Sequence, residues 1–432
     1  MMSSTNSEYS IRIIIIAICS ALSGLLFGYD AGIISGALLF IKKSFTMDAT
    51  TVGWMVAMVP LGALISSALS GYFSDIVGRK KALFFTAICF IIGTVLCMDA
   101  HQVNWLVIGR IIIGLAIGVG SCISPVYTSE LAHEYQRGWL VNLFVVTIQL
   151  GIFLAFLTGF LLSHSGDWRL MIGLGIIPAI LLAFATFFLP ESPRWLIVKG
   201  RATQAKAVLE KLYGFKEASK VASMIEETVD KDKVNWKALF EQPRFLKVIF
   251  IGIAVSAFTQ TVGINAFNYY GPTIFQTTGF ATTSQATFYT MFIGLTLVLS
   301  TIASLFFIDK IGRKLPLLLG TFAILIILAV ITVGFSIIKN PLDLGMLFFI
   351  SAIIFMLFHG LSIGPACFLI PSEIFPSRIR GLGMGLSVAC NWGVNVIVAA
   401  CIPGVIKHYG VASLFGGFLI LTLIGLVIFY YY

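Results

Sequence analysis

Charge is scarce in this sequence. Asp, Glu, Lys and Arg together make up 11% of 432 residues, hydrophobic residues make up 58%, and the mean hydropathy is +0.99. A water-soluble domain is excluded, because no soluble fold buries so many long uncharged runs. Paired cysteine spacing is missing as well. Cys19, Cys89, Cys97, Cys122, Cys367, Cys390 and Cys401 contain no CxxC pair, so they read as small apolar helix residues, without disulfides or metal. No nucleotide loop, metal-ligand spacing or nucleophile–base set occurs, which argues against an enzyme and against a cofactor. There is no low-complexity tract. There is no removable signal peptide either: the first apolar run is too long, carries an acid and precedes no small-residue cleavage pattern.

What the chain has is apolar runs. Crossing the hydrocarbon of a bilayer takes about 20 mostly apolar residues in a helix. Such runs lie near 11–41, 50–74, 82–99, 103–131, 139–163, 169–190, 245–277, 285–309, 315–337, 343–371, 379–405 and 411–432. The expected fold is an all-α integral membrane protein with twelve transmembrane helices. The polar residues 1–10 are expected to fray. Residues 191–244 form the only long polar segment and read as short amphipathic helices lying against the membrane face. Division into 1–190, 191–244 and 245–432 follows.

Two charged cassettes recur. Asp75-Ile76-Val77-Gly78-Arg79-Lys80 reappears as Asp309-Lys310-Ile311-Gly312-Arg313-Lys314, 234 residues later (309 − 75). Glu130 precedes Arg137-Gly138, and Glu373 precedes Arg380-Gly381, at an offset of 243 (373 − 130). Two unrelated cassettes repeating at nearly one offset indicate two halves built on one plan.

The net charge of +9 would suggest nucleic acid if it were spread at random. It is sorted instead. Loops on the cassette side hold 21 Lys and Arg, and Arg12 joins them. The opposite side has only Lys42, Lys43, Arg169, Lys339 and Lys407. Basic residues gather in cytoplasmic loops. Both termini and the cassettes are therefore expected to be cytoplasmic, in a multi-pass protein of the cell membrane with no nucleic-acid partner.

Two ionisable residues fall deep inside the hydrocarbon, Asp30 in the first span and Arg110 in the fourth. Counting from the span ends puts both roughly 10–14 Å below the outer surface, where an unpaired charge would cost several kcal/mol. Either they form a proton-coupling pair or a static pair that fixes helix register. Polar groups also cluster in the seventh span (Thr259, Gln260, Asn265, Asn268, Tyr269, Tyr270) and the eleventh (Asn391, Trp392, Asn395). Amides beside aromatic planes suit a neutral polyhydroxylated ligand, or else they bond helices together. Pro125, Gly364 and Pro365 invite broken helices. His359 is read as a structural or pore-wall histidine and His133 as a loop residue. Glycines at 24, 28, 32 and 36 make one smooth helix face, and Gly109, Gly114, Gly118 and Gly120 another.

These residues resemble the sugar porter family of the major facilitator superfamily over essentially the whole length. The matching stretches are FGYDAGIISG (27–36), the doubled DxxGRK, GRIIIGLAIG (109–118), PESPRWL (190–196), VGIN…YYGPTIF (262–275) and PSEIFPSRIRG (371–381). The resemblance implies the major facilitator fold of two six-helix bundles, acting as a monomer with a central site and alternating access. It implies that Asp30 and Arg110 match the acid and arginine of proton-coupled bacterial members. It further implies a cytoplasmic ion-pair latch of Asp75, Arg79, Glu130, Arg137, Glu191, Asp309, Arg313, Glu373 and Arg380. A substrate site of Phe27, Gln149, Thr259, Gln260, Asn265, Tyr270, Phe368, Asn391, Trp392 and Asn395 is expected.

Some family positions differ. The sugar-binding glutamine of the fifth span falls on Val145, with Gln149 one turn further on. The paired glutamines of the seventh span become Thr259-Gln260, the asparagine of the eighth becomes Leu297, and the tryptophans of the tenth become Ile363 and Phe368. A closing PETKG stretch is absent because the chain stops at Tyr432, which reads as truncation. The function expected is proton-coupled symport of a monosaccharide or polyol. An uncoupled sugar carrier, and a proton-coupled carrier of a less polar or anionic solute, remain the alternatives.

Overall fold

The computed structural model describes residues 4–133, 136–231, 243–279, 282–375 and 380–431. Five long helices open the chain: α1 (Ser4–Ser44), α2 (Ala49–Val77), α3 (Arg79–Met98), α4 (Val103–Leu131) and α5 (Arg137–Leu161). A sixth crossing is made by α6 (Trp168–Gly173) and α7 (Ile176–Phe188). Among the described residues of the linker, three helices follow, α8 (Pro193–Val198), α9 (Ala202–Tyr213) and α10 (Phe215–Lys231). The second half runs α11 (Pro243–Thr261), α12 (Ile264–Thr277), α13 (Thr283–Ile311), α14 (Lys314–Ile337), α15 (Pro341–Phe358), α16 (Gly364–Ile374) and α17 (Arg380–Tyr431). Among the described residues, 11 segments are long and apolar enough to cross a membrane. The last must count twice, because Gly410 at φ 83 and ψ 171 interrupts it midway. The total is the twelve expected crossings.

Start signals sit where side-chain chemistry demands. Asp48 accepts a hydrogen bond from the Thr51 amide at 2.9 Å and caps α2, and Thr282 and Gln285 form a reciprocal capping box on α13. Glycine decides how closely the long helices approach. Gly24, Gly28 and Gly32 lie against Phe144, Thr147, Ile148, Ile152 and Ala155 of α5, and Gly36 lies against Gly159. Gly114 and Gly118 do the same for α4 against Val59, Gly62 and Ala63 of α2. A Cβ at Gly28 would collide with the Ile148 carbonyl. These are backbone-to-backbone seams, which dispersion holds best when no side chain intervenes.

The cassette lysines each close their own half. Lys80 Nζ donates to the Phe187 carbonyl at 3.2 Å, and Lys314 Nζ donates to the Tyr430 carbonyl at 3.4 Å. In both halves the lysine therefore meets the carbonyl end of the last crossing, where a cation complements the helix dipole.

Four features depart from the sequence reading. The segment expected to fray is helical from Ser4 onward, continuous with α1. The seventh crossing is broken between α11 and α12, where Gly263 has φ 98. Pro125 lies within an uninterrupted α4. In the tenth crossing the irregularity is a π-helical turn at His359–Ile363, just ahead of Gly364 and Pro365.

The halves touch at the end away from the cassettes. Ser163 and Ser284 hydroxyls are 2.9 Å apart, Phe160 and Phe288 rings 5.2 Å, and Gly294 lies against Phe156. Gly53 abuts the Ala400 carbonyl so closely that a Cβ would collide. Hydrogen bonding from Thr51 holds the Asp48 carboxyl below its ordinary range, and Lys407 of the other half adds to this. Phe27 meets Trp392 near mid-depth, with ring centroids 5.0 Å apart. At the cassette end the described ion pairs each lie within one half.

Gly28→Ala should destabilise the protein by about 1–3 kcal/mol through overpacking of the α1–α5 seam. Thermal unfolding in lipid nanodiscs measures it; an unchanged midpoint would show that the seam can part to admit a methyl.

Candidate functional site

Asp30 and Arg110 meet as the sequence requires, on α1 and α4, with Asp30 Oδ1 and Arg110 Nη1 3.6 Å apart and both side chains buried. Where α4 meets α1, Gly120 lies against Ser23. Arg110 is held more firmly by α2 than by the acid: its Nε donates to the Met55 carbonyl at 2.9 Å and its Nη2 to the Val56 carbonyl at 3.5 Å. Each carbonyl solvates part of the guanidinium in the role water has at a surface.

A carboxamide network lies across the break in the seventh crossing. Asn391 Nδ2 donates to the Ser256 carbonyl at 2.7 Å and to Thr259 Oγ1 at 2.8 Å, and its Oδ1 accepts from Gln260 Nε2 at 3.0 Å. Gln260 Oε1 accepts from Asn265 Nδ2 at 2.6 Å, which also donates to Asn395 Oδ1 at 3.2 Å. Tyr269 and Asn395 complete the chain at 3.3 Å. The break at Gly263 makes this possible, since ending α11 after Thr261 lets Gln260 and Asn265 face one another. Networks of this kind polarise cooperatively and order their members.

Other expected residues are placed as follows. Gln149 is buried on the α5 face that carries Phe153 and Phe156 toward the second half, and its Oε1 has no hydrogen-bond partner among the described residues. Phe27 and Trp392 meet from opposite halves, their rings tilted by 49°. Tyr270 is fully enclosed, and its hydroxyl donates to the Ala399 carbonyl at 2.8 Å, so it bonds α12 to α17. Tyr269, its neighbour, is the tyrosine in the amide network; two adjacent tyrosines offer no way to rank them by sequence. The side chain of Phe368 lies outside the described residues. Val145, Leu297 and Ile363 are buried and apolar. His359 is buried in the π-helical turn, its ring nearly parallel to Phe355, and neither ring nitrogen has a partner among the described residues.

At the cassette end, Arg79 is the hub of the first half. It contacts Asp75 at 2.8 Å and Glu130 at 3.2 Å. Glu191 accepts from the backbone amides of Arg79 and Lys80 at 2.8 and 3.2 Å, bonds that the tight turn at Gly78 (φ 97) exposes. In the second half Arg313 clasps Glu373 at 2.8 Å. The side chains of Arg137, Asp309 and Arg380 lie outside the described residues. Linker helices pack on this end of the first half: Trp195 Nε1 donates to the Asp75 carbonyl at 3.0 Å, and the Tyr213 hydroxyl to the Leu131 carbonyl at 3.1 Å. His133 packs edge-on against Tyr213, and burial holds its imidazole below the ordinary range although Glu217 opposes this.

Twelve apolar crossings, two duplicated halves and a polar seam between them define a multi-pass membrane transporter rather than an enzyme. The family model described as "Sugar (and other) transporter" matches residues 16–432, and the chain belongs to that family. It is 35% identical to the galactose-proton symporter of Escherichia coli, over 92% of this chain and 86% of that protein. It is 36% identical to the D-xylose transporter of Levilactobacillus brevis, over 93% and 88%. Among solved structures, the partially occluded inward-open xylose transporter XylE from E. coli superposes with a TM-score of 0.86. The sequence identity is 26%, with coverage of 97% of this chain and 99% of that one. The proton:xylose symporter XylE bound to 6-bromo-6-deoxy-D-glucose superposes with a TM-score of 0.84 and 29% identity, covering 99% and 96%.

Arg79→Ala would leave the largely buried Glu130 unpaired and should cost about 2 kcal/mol, whereas Asp75→Ala, at an exposed partner, should cost under about 0.5 kcal/mol. Chemical unfolding of both variants checks the contrast; equal costs would remove Arg79 from its hub position.

Proposed function

We propose that this chain carries a neutral monosaccharide or polyol across the cell membrane together with a proton, by alternating access. The observation that carries the proposal is a buried acid–arginine pair in one half facing a hydrogen-bonded amide and aromatic cluster in the other. Asp30 is an acid held in hydrocarbon beside a cation, the arrangement expected of a group that takes and gives a proton as its surroundings change. Gln260, Asn265, Asn391 and Asn395 supply hydroxyl-matching donors and acceptors, and Phe27 and Trp392 supply planes for an apolar ring face.

Sugar substrates named for the similar symporters support this substrate class, and the sorting of lysine and arginine supports a cytoplasmic position for the cassettes and both termini. With the halves closed together at the opposite end, the described arrangement faces inward, like the partially occluded inward-open XylE. Asp75, Arg79, Glu130, Glu191, Arg313 and Glu373, with Arg137, Asp309 and Arg380, would hold the cytoplasmic end when the far end opens. Residues 1–190 and 245–432 rock as two units acting within a single monomer. A less polar solute is the second reading, favoured by the apolar side chains at Val145, Leu297 and Ile363.

Uptake into proteoliposomes of D-galactose, D-xylose, L-arabinose and inositol, with and without an inward proton gradient, tests the proposal. Gradient-driven accumulation of one is expected; uptake that only equilibrates would mean an uncoupled carrier. Asp30→Asn should abolish uphill uptake while leaving exchange, and retained accumulation would remove Asp30 from coupling. Gln260→Ala should weaken affinity about tenfold, from the loss of one to two hydrogen bonds. Unchanged affinity would move the site elsewhere.

A further inference from the structure

Arg110 draws on two main-chain carbonyls of α2, and the reason the Val56 carbonyl is available lies four residues on. In a regular helix the Val56 carbonyl accepts from the amide of residue 60. Residue 60 is Pro60, inside α2, and proline has no amide hydrogen to give. Its ring also crowds the carbonyl four residues back. The freed oxygen is the one within 3.5 Å of Arg110 Nη2, and the adjoining Met55 carbonyl receives Nε at 2.9 Å. Close approach of α4 comes from Gly114, which packs on the Val59 carbonyl and Gly62. Asp30, by contrast, touches the guanidinium at 3.6 Å.

We propose that Pro60 builds a second seat for the Arg110 guanidinium, and that Arg110 passes between this seat and Asp30 as the carboxyl gains or loses a proton. The inference rests on the proton-coupled reading above and deepens it. When Asp30 is a carboxylate, the guanidinium is drawn to it. When a proton from the aqueous phase converts Asp30 to the neutral acid, Arg110 settles on Met55 and Val56, and no charge is left without a partner in hydrocarbon. Pro60 is a positioning residue here, since it acts only through Arg110. Other titratable groups facing the pair are Cys97 from α3, and Tyr269 and Tyr270 from α12.

The seat also lies on the path to the far-end closure. Met55 and Val56 are within one turn of Gly53, whose backbone abuts the Ala400 carbonyl of α17 in the other half. Tightening or releasing Arg110 on these carbonyls therefore bears on the turn of α2 that meets the second half.

Hydrogen–deuterium exchange of the intact protein in nanodiscs, across pH and with no sugar present, tests this. After correction for intrinsic rates, protection of the far-end turns of α2 and α17 should change with one pH midpoint in the wild type. Asp30→Asn should lose that midpoint. Pro60→Ala restores the amide that takes the Val56 carbonyl, leaving Arg110 more dependent on Asp30, so the midpoint should move acid by about one unit, the worth of one hydrogen bond to a charge. Alanine suits a helix interior better than proline, so folding should be kept, and the thermal midpoint verifies it. Pro60→Leu restores the same amide and should give the same shift. A midpoint present in the wild type, absent in Asp30→Asn and unmoved in Pro60→Ala would overturn the second seat and leave proton coupling standing. A shift in Pro60→Ala but not in Pro60→Leu would assign the effect to volume and overturn it as well. A wild type with no midpoint would overturn both readings.

Discussion

A charge placed in hydrocarbon has to be solvated by the protein itself, and the placement of Arg110 shows how much structure that requires. Its guanidinium draws on an acid on α1 and carbonyls on α2, and the Gly114 and Gly118 seam brings α2 within reach. At an aqueous surface, water would meet the same need with no structure at all. In hydrocarbon, desolvating one ion costs several kcal/mol, which is comparable to the net stability of a whole domain. Removing Asp30 would leave the guanidinium with main-chain carbonyls alone to solvate it.

The duplicated cassettes follow a second, milder rule, because they stand at the membrane edge. Each half uses its arginine to hold an acid at the end of its fourth crossing and its lysine to cap the end of its sixth. The two halves are not copies in detail. In the first, Glu191 additionally binds the backbone of the turn and the linker helices pack over it, whereas the Arg313–Glu373 pair stands more open to solvent.

Much of this was legible in the amino acids. Hydrophobic runs of that length can hardly be buried except in a bilayer, so the twelve crossings and their edges could be read directly, and a glycine every fourth residue predicted the α1 seam. The pairing of Asp30 with Arg110 followed from equal depth and the cost of leaving either alone. Other features were not accessible this way. The break at Gly263 sits in an apolar run whose periodicity does not change, and only the contacts between α11, α12 and α17 reveal it. The choice between Tyr269 and Tyr270 depends on helix rotation after that break. Sequence does not single out Pro60 among the prolines; the oxygen it frees matters only because another helix presents a donor to it.

The seam between α1 and α5 carries a mechanical consequence. Its α1 side is glycine, set against the Phe144, Ile148 and Ile152 backbone and the Thr147 and Ala155 side chains of α5, so few rotamers can change there. A joint of that kind transmits force without storing it. If the halves rock as proposed, the first half would turn about the closed end, where Gly53 abuts Ala400. Helix α2 runs for 29 residues, roughly 43 Å at the helical rise. In that motion a movement of a fraction of an ångström beside Arg110 would be multiplied several times at Asp75 and Arg79, where the proposed cytoplasmic gate would part.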